Sequence, residues 1–527
     1  MKKYFFILLL LLCSSVLNAQ NLKLIPYPSN VKMAGSRLAM ARGSGFYTDN
    51  PRFKYAVNYL NEEIGSPHKT AARKQKITIA ITPGLSKPGA YRLSTVGKVI
   101  SIKSSDSAGV FNGVITLLQL YQSAKKEGAN TMLPGLIIND EPRYQWRGFM
   151  LDESRHFFGK EVVKQLLNWM AFYKLNRFHW HLTDAQGWRL AIEKYPLLAT
   201  VGGIGNFTDS TAQARYYTQN DIREIVKYAK RRNIEIVPEI DMPGHATGAT
   251  HAYPELSGGT TPRYENFTFN PAKEGTYQFM GNVLKEVKAL FPDGRIHIGG
   301  DEVALGIKAW ESNPDVQKLM TDKGFTDYQQ AEFYFLKRIA DTVQKLNYKV
   351  MCWDETVAAG LPTSNVIIDW WRQNKPEVLT EAINKGYNII LCPRLPLYLD
   401  FVQDSTHRSG RKWGGLFNTY LDIYHFPENS LADSICKKTN IIGIQANLWT
   451  ETVSSKKRLD YLLFPRLAAA AEAGWCASSA KNDDMFNQRL KAHLLYYKKA
   501  GIYYYDPFNP KEHEEAIDQQ PKQEVKD

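Results

Sequence analysis

The stretch His297-Ile298-Gly299-Gly300-Asp301-Glu302 sets two carboxylates side by side after Arg295-Ile296-His297-Ile298, a run patterned as a buried strand. Two glycines just ahead let backbone or ligand approach closely. Carboxylates at a strand end in water cost little. At the mouth of an enclosed, tryptophan-rich pocket they are costly unless they do proton chemistry. Other strand-like runs also end in polar or aromatic residues. One leads into Asp152, Arg155 and His156, another into His179-Trp180-His181-Leu182-Thr183-Asp184, and a third into Pro238-Glu239-Ile240-Asp241-Met242-Pro243-Gly244-His245. Beyond Glu302 come Trp353-Asp354-Glu355, Asp369-Trp370-Trp371-Arg372, Tyr398 with Asp400, and Trp449 with Glu451. One His or Trp in such a place is usually a satisfied core residue; eight coincidences in phase are hard to attribute to packing. His179, His181, Glu239 and Asp354 also read as buried polar struts between layers.

A divalent ion is the rival chemistry, because His, Asp and Glu on barrel strands bind metals. No HExxH or paired-cysteine spacing occurs. Aromatic residues at four of the strand ends favour a carbohydrate pocket, since indole faces stack on sugars and enclose small apolar groups. No metal and no cofactor are expected.

The elements that must position these residues follow a rhythm. Apolar runs begin near Trp146, Arg177, Ile234, Ile296, Lys349, Val366, Asn388 and Ile441. Helical patterns separate them. Val162, Val163, Leu166, Leu167, Met170 and Tyr173 share one face, and Thr218 with Asp221 forms a capping arrangement before Ile222, Ile225, Val226 and Ala229. Eight β-then-α units over residues 143–506 predict an α/β fold, a (β/α)8 TIM barrel with long loops. A doubly wound sheet would bring fewer strands and a glycine-rich phosphate turn, which is missing from the sequence. Residues 22–140 read as a smaller α+β domain. There Ile77–Thr82 alternates as a strand, Tyr91–Thr95 and Val99–Lys103 flank Val96-Gly97-Lys98 as a hairpin, and Ser107–Gln122 is helical.

The N-terminus reads as a secretory signal over residues 1–19. Lys2 and Lys3 precede the apolar run Phe5–Leu12, and Asn18-Ala19-Gln20 offers a cleavage site. The run is too short to span a bilayer, and no later segment is long and apolar enough. An exported protein is expected, periplasmic or secreted and without a transmembrane segment; a lipidated Cys13 is the alternative to simple cleavage. Cleavage leaves Cys352, Cys392, Cys436 and Cys476, whose spacing matches no metal or disulfide signature, so they read as isolated core residues. The formal charge is +13, or +11 once Lys2 and Lys3 are removed, and it is scattered. Nothing resembles a nucleic-acid-binding motif, and a preference for anionic glycans is a weak indication. Lys511 to Asp527 carries six acidic and three basic residues and almost nothing apolar, so it reads as a disordered tail.

Taken together, these residues resemble a known family. His297-x-Gly-Gly-Asp301-Glu302 looks like the signature of the family 20 glycoside hydrolases, the β-N-acetylhexosaminidases. Leu151-Asp-Glu-Ser-Arg155-His156-Phe157, His179-Trp-His-Leu-Thr-Asp184 and Pro238-Glu-Ile-Asp-Met-Pro-Gly-His245 look like further blocks of that family, in order. Ile25-Pro-Tyr-Pro28 resembles the start of its N-terminal domain, and the similarity runs from about Leu24 to Tyr505.

Glycosidases usually set two carboxylates across the scissile bond. Asp301 and Glu302 are consecutive, and an extended backbone would turn them apart. That spacing favours substrate assistance, in which the sugar's own 2-acetamido oxygen attacks the anomeric carbon. The resemblance then implies roles. Glu302 is the general acid and later the base, Asp301 orients the acetamide and balances an oxazolinium charge, and Tyr398 donates to the acetamide oxygen. Trp353, Trp371 and Trp449 enclose the acetamide methyl, with Trp370 the ambiguous neighbour of Trp371. Arg155 binds the 3- and 4-hydroxyls, Asp400 and Glu451 the outer hydroxyls, and Asp184 and His245 position Glu302. The chain departs from many relatives in following Asp184 with Ala185 rather than a second acid. The implied partner is a glycan ending in β-linked GlcNAc or GalNAc. The sequence leaves open which of these the enzyme takes, whether the sugar is sulfated, and the oligomeric state. A disaccharide-releasing glycosidase and a glycan-binding protein on a hydrolase scaffold are the alternatives.

Overall fold

The computed structural model describes residues 22–41, 43–65, 76–85, 87–412 and 416–518. Its first sheet grows from β1 (Asn30–Ala41), β2 (Gly45–Tyr47), β3 (Lys76–Thr82), β4 (Tyr91–Ser94), β5 (Ile100–Lys103), β6 (Lys125–Glu127) and β7 (Asn130–Asp140). The order is β1-β7-β4-β5-β3-β2, with β6 also on β7. β4 and β5 pair antiparallel, Leu93 opposite Ile102, as the hairpin pattern predicts. The apolar face of these strands is covered by the helix Ser107–Ser123, whose first turn is capped by the Asp106 carboxylate accepting from the Gly109 N–H.

The second sheet contains β8 (Trp146–Asp152), β9 (Arg177–His181), β12 (Glu235–Glu239), β13 (Arg295–His297), β14 (Lys349–Trp353), β15 (Val366–Trp370), β16 (Asn388–Leu391) and β17 (Ile441–Leu448); the short hairpin β10 (Thr183–Asp184) and β11 (Gly187–Trp188) follows β9. Neighbours run parallel, and β17 pairs with β8, Leu448 opposite Leu151, so the eight strands close into a barrel. The expected (β/α)8 barrel preceded by a smaller α+β domain is the observed architecture. Thr218 and Asp221 cap their helix reciprocally. The helix Lys160–Phe172 buries Val163, Leu166, Leu167 and Met170.

Strand alternation sorts the barrel into layers. Phe149, Phe178, Ile236, Ile296, Val350, Ile368 and Ile389 face the helices. On the inside, Trp146, Val237, Met351, Ile367 and Ile390 make an apolar floor. Above it lies a polar layer of His179, Glu239, His297, Asp369, Gln445 and Asn447, all fully buried. The next layer opens at the carboxyl ends of the strands, where barrel enzymes keep their chemistry. The same alternation separates the tandem tryptophans: Trp370 packs in the outer core and Trp371 in an inner aromatic cluster.

The two domains meet at buried polar contacts. Asp140 accepts from the Tyr91 hydroxyl at 2.7 Å and from Trp475 Nε1 at 3.0 Å, with Lys174 Nζ 3.5 Å away. Nearby, Arg489 forks onto Glu472 at 2.8 and 3.0 Å, and Glu472 also takes the Tyr27 N–H. Arg489 is 3% exposed. Glu472→Ala would strand that guanidinium, with an expected loss of about 3–5 kcal/mol. Urea unfolding followed by tryptophan fluorescence measures it; a loss below about 1 kcal/mol would mean that the pair adds no more than a surface contact.

One expectation needs correction. Lys511 to Asp518, assigned by composition to a disordered tail, pack against the barrel. Arg458 is fully buried and needs a counter-charge; Glu515 supplies it at 2.8 Å. Glu515 also accepts the Ser409 N–H at 3.1 Å, and Asp518 accepts the Ser455 N–H at 2.9 Å. Composition counted these acids as solvated because their partners lie 57 to 106 residues away. Residues 519–527, the signal segment and Cys13 lie outside the described residues. Among the described residues no helix is long and apolar enough to cross a membrane. The four cysteines are unpaired, three of them buried.

Candidate active site

The turn after β13 places the acidic pair. Gly299 and Gly300 sit at φ +67° and +89°. A Cβ at Gly299 would lie 1.7 Å from Asp241 Oδ1, and one at Gly300 2.5 Å from Thr356 Cγ2, so both positions require glycine. Glu302 itself is left-handed, at φ +50°. The backbone is therefore not extended here, and the expected divergence of the two side chains does not occur. Asp301 and Glu302 converge on one imidazole instead: His245 Nε2 stands 3.5 Å from Asp301 Oδ2 and 3.5 Å from Glu302 Oε2. Their exposure differs, the Asp301 side chain being 12% exposed and that of Glu302 42%.

Behind His245 runs a chain of charges. Its Nδ1 contacts Asp184 Oδ1 at 2.9 Å, Asp184 Oδ2 meets His181 Nε2 at 2.9 Å, and His181 Nδ1 meets Glu239 Oε2 at 2.6 Å. Arg155 Nη1 closes on Asp184 at 2.6 Å. Glu239 also takes the Trp353 indole N–H at 2.8 Å and lies 3.0 Å from both His179 and His297. Burial opposes each of these charges, yet mutual attraction prevails: Asp184 and Glu239 are held well below the usual carboxylate range, His181 and His245 well above 6.5. His179 is the exception, because burial and the neighbouring His297 lower it to about 4.

The pair at the end of this chain is split. Burial lifts Asp301 to about 6. Burial also pushes Glu302 upward, but the facing His245 imidazole, helped by the charges of Arg155 and Arg394, holds it below 4.5. Asp241, beneath them, is raised well above 3.8 by burial and by the charge of Asp301, and neither of its oxygens has a hydrogen-bond partner.

Trp353, Trp371, Tyr398 and Trp449 form an aromatic cage with Met150, Cys392 and Phe401. Ring centroids are 6.0 Å apart for Trp353–Trp449, 6.1 Å for Tyr398–Trp449 and 6.5 Å for the stacked Trp371–Tyr398. Burial raises the Tyr398 phenol well above 10, so it remains a donor. The Arg155 guanidinium lies 5.0 Å from the Trp449 ring centroid.

Acids and cage share one pocket of about 800 Å³. Ten of the eleven residues singled out in the sequence line it. Asp400 lies just below the surface, 3.4 Å from Arg411 Nε, and Arg411 Nη2 meets Glu451 at 2.7 Å. Burial raises Asp400 to about 7. Sequence reading missed Arg411, which sits in an irregular loop, and Arg394, although Arg394 follows strand β16 directly as Cys392-Pro393-Arg394. The residues read as struts divide: His179 and Glu239 sit in the polar layer, His181 links Glu239 to Asp184, and Asp354 pairs with Arg372 at 3.1 Å.

Among the described residues, four groups bring metal-ligating atoms within 4.8 Å of one another: two share Asp241, as His181-Glu239-Asp241 and Asp184-Asp241-His245, and the other two are His179-Glu239-His297 and His245-Asp301-Glu302. In the His179 group Glu239 already faces three imidazoles, and in the His245-Asp301-Glu302 group the neighbouring carboxylates raise the pKa of His245 well above 6.5, so an added ion would compete there with a tightly held proton.

The family model for glycosyl hydrolase family 20, catalytic domain, matches residues 144–478, and that for domain 2 of the same family matches residues 21–141. A β-hexosaminidase of Vibrio furnissii is 33% identical over 480 residues, covering 87% of this chain and 77% of the relative. One from Akkermansia muciniphila is 32% identical, covering 82% and 89%. Among solved structures, the exo β-N-acetylglucosaminidase of Vibrio harveyi in complex with N-acetylglucosamine superposes with a TM-score of 0.84 at 32% identity, covering 93% of this chain and 79% of that one. The β-N-acetylhexosaminidase of Streptomyces coelicolor gives 0.78 at 31% identity, covering 92% and 98%.

Proposed function

The chain belongs to glycosyl hydrolase family 20 and is a glycoside hydrolase, and from that premise we propose that it is an exported, metal-independent exo-β-N-acetylhexosaminidase that removes terminal GlcNAc or GalNAc with retention. The observation that carries the mechanism is the aromatic cage beside Asp301. A sugar bearing only a 2-hydroxyl has no use for three indoles and a phenol around that position. An acetamide has: its methyl fits among Trp353, Trp371 and Trp449, its oxygen accepts from Tyr398, and its N–H donates to Asp301. The acetamide oxygen is thereby held against the anomeric carbon, where an oriented intramolecular nucleophile reaches effective molarities of about 10⁵–10⁸ M. Glu302 protonates the leaving oxygen and then activates water; His245, fixed by Asp184, sets its position. Arg155, Asp400 and Glu451 grip the ring hydroxyls. Export rests on Lys2, Lys3 and Phe5–Leu12.

The test is a panel of aryl β-glycosides with and without the 2-acetamido group, together with a 2-fluoro glycoside as covalent trap. The expected result is cleavage of the acetamido sugars alone and no trapped side chain. Equal cleavage of plain β-glucosides would sink the mechanism.

A pH dependence follows. The reaction needs one proton on Glu302 and none on Asp301, so the active form is the singly protonated pair. That form exists above the Glu302 value, which lies below 4.5, and below the Asp301 value of about 6. Within it the proton must shift to Glu302, which a bound sugar favours by removing water from that more exposed side chain. The expected kcat/KM profile is a bell with its maximum on the acid side of about 6, falling at higher pH as the last proton leaves. A plateau persisting to pH 8 would contradict it.

A further inference from the structure

A second cavity adjoins the catalytic pocket. Its volume is about 440 Å³, within the range of about 300–1,000 Å³ usual for ligand sites. Glu302, Leu305 and Trp371 line both cavities, whereas Arg155, Asp301, Trp353, Tyr398 and Trp449 line only the first. Trp371 is the wall between them. Its ring stacks on Tyr398 in the cage, with centroids 6.5 Å apart, and its Nε1 donates to Glu355 Oε2 at 3.0 Å in the second cavity. In the reading above, Glu302 protonates the leaving oxygen, and the five residues confined to the first cavity hold the sugar that is kept. The second cavity meets that site at Glu302 and so is open to the sugar that leaves.

The lining of this cavity is rich in acceptors. Among the described residues Arg372 is its one basic group, and it is shared: its Nε lies 3.1 Å from Asp354 Oδ2 and 3.7 Å from Glu355 Oε1. Glu381 is paired with Lys385 at 2.6 Å. Glu332 has no such partner. It stands on the helix Tyr328–Lys345, lines the cavity and is 6% exposed, yet its carboxyl group makes no hydrogen bond and no ion pair among the described residues. Burial lifts it to about 7 against the pull of Arg372. A carboxylate buried without a partner is costly unless a cation or a proton neutralises it. Val303, Val357 and Val378 add apolar surface suited to the C–H face of a sugar ring.

Resting on the hexosaminidase reading, we propose that this second cavity receives an amino sugar as the leaving group, its free ammonium held by Glu332 while Arg372 stays with Asp354 and Glu355. An ammonium brings three donors and no acceptor, which suits a lining whose unpaired group can only accept when ionised. Hydroxyl groups of a neutral sugar would leave the negative charge uncompensated.

The experiment compares three disaccharides with the same terminal β-linked N-acetylhexosamine and the same linkage. The second sugar is a 2-amino-hexose with a free amine, its N-acetylated counterpart, or the plain hexose, at a pH where the amine is protonated. The wild type is expected to show kcat/KM about tenfold higher on the free amine, the scale of one charge-assisted hydrogen bond in a partly buried site. Glu332→Gln keeps the side-chain shape. It should bring the amine substrate down to the level of the other two, whose kcat/KM stays unchanged. A wild type that cleaves all three equally, or the amine more slowly, overturns the proposal and leaves a proton as the only neutraliser of Glu332. A preference that survives Glu332→Gln, or an equal loss on all three substrates in that variant, also overturns it. Failure to cleave any of the three would instead overturn the hexosaminidase reading beneath it.

Discussion

Glu302→Gln lowers kcat on an alkyl β-N-acetylhexosaminide by roughly 10²- to 10⁴-fold, the range expected for loss of a positioned proton donor. The fold should respond little, because the partly exposed carboxylate that His245 holds below 4.5 adds only a small, solvent-screened stability. The Glu302 side chain is 42% exposed and glutamine keeps its shape, so the unfolding midpoint is expected to stay within about 2 °C. The left-handed backbone at Glu302 is unaffected, since both residues carry the same Cβ constraint.

The sharper result lies in the leaving-group dependence. An alkoxide cannot depart without a proton, whereas a dinitrophenolate can. The kcat/KM of the variant should therefore recover toward wild type as the leaving group improves, because kcat/KM reports the step up to glycosidic cleavage. Its kcat on the dinitrophenyl substrate should stay low, because breakdown of the oxazolinium still needs a base at Glu302, and a burst of phenolate should precede the slow steady state. A loss in kcat/KM that is the same for every leaving group would assign Glu302 a binding role and leave the proton donor unidentified.

What could be read in the sequence was local. Each barrel strand announced itself by an apolar run that stops at a polar residue, and side-chain period two then carries Trp353, Asp369 and His297 inward without further information. The Thr218–Asp221 cap and the Tyr91–Lys103 hairpin are equally local. What escaped depends on distance. The carboxylate of Glu239 gathers donors from positions 179, 181, 297 and 353, and no spacing signals that they converge. The same holds for Arg411 bridging Asp400 and Glu451, and for Glu515 reaching Arg458. The turn at Glu302 was misread for another reason. Gly299-Gly300 announces freedom without direction, and only contact with Asp241 and Thr356 determines which way the chain goes. That direction matters, because it brings both acids to one imidazole.

Asp301→Asn separates activity from stability. Asparagine matches aspartate in size and keeps an oxygen that can accept the acetamide N–H, but it carries no charge to balance the cation of the reaction. On 2-acetamido substrates kcat/KM should fall roughly 10²- to 10³-fold, the scale of losing one preorganised electrostatic contact in a buried site. Stability should move the other way. Asp301 is 12% exposed at the side chain and is lifted to about 6 by burial, so the folded protein holds its ionised form at a disadvantage that an unfolded chain does not feel. The sign is fixed by linkage: a carboxyl raised on folding destabilises the native state above its folded value, and that penalty fades as pH falls through the window from about 6 to the ordinary 3.8. Removing the carboxylate should therefore stabilise the protein by about 1–3 kcal/mol at pH 7 and by almost nothing at pH 4. Parallel denaturation curves at the two pH values, set beside the kinetics, measure both effects. A variant that loses activity and stability together would make Asp301 a structural support; one that loses activity while gaining pH-dependent stability marks a charge kept in an unfavourable place because the cation of the reaction forms beside it.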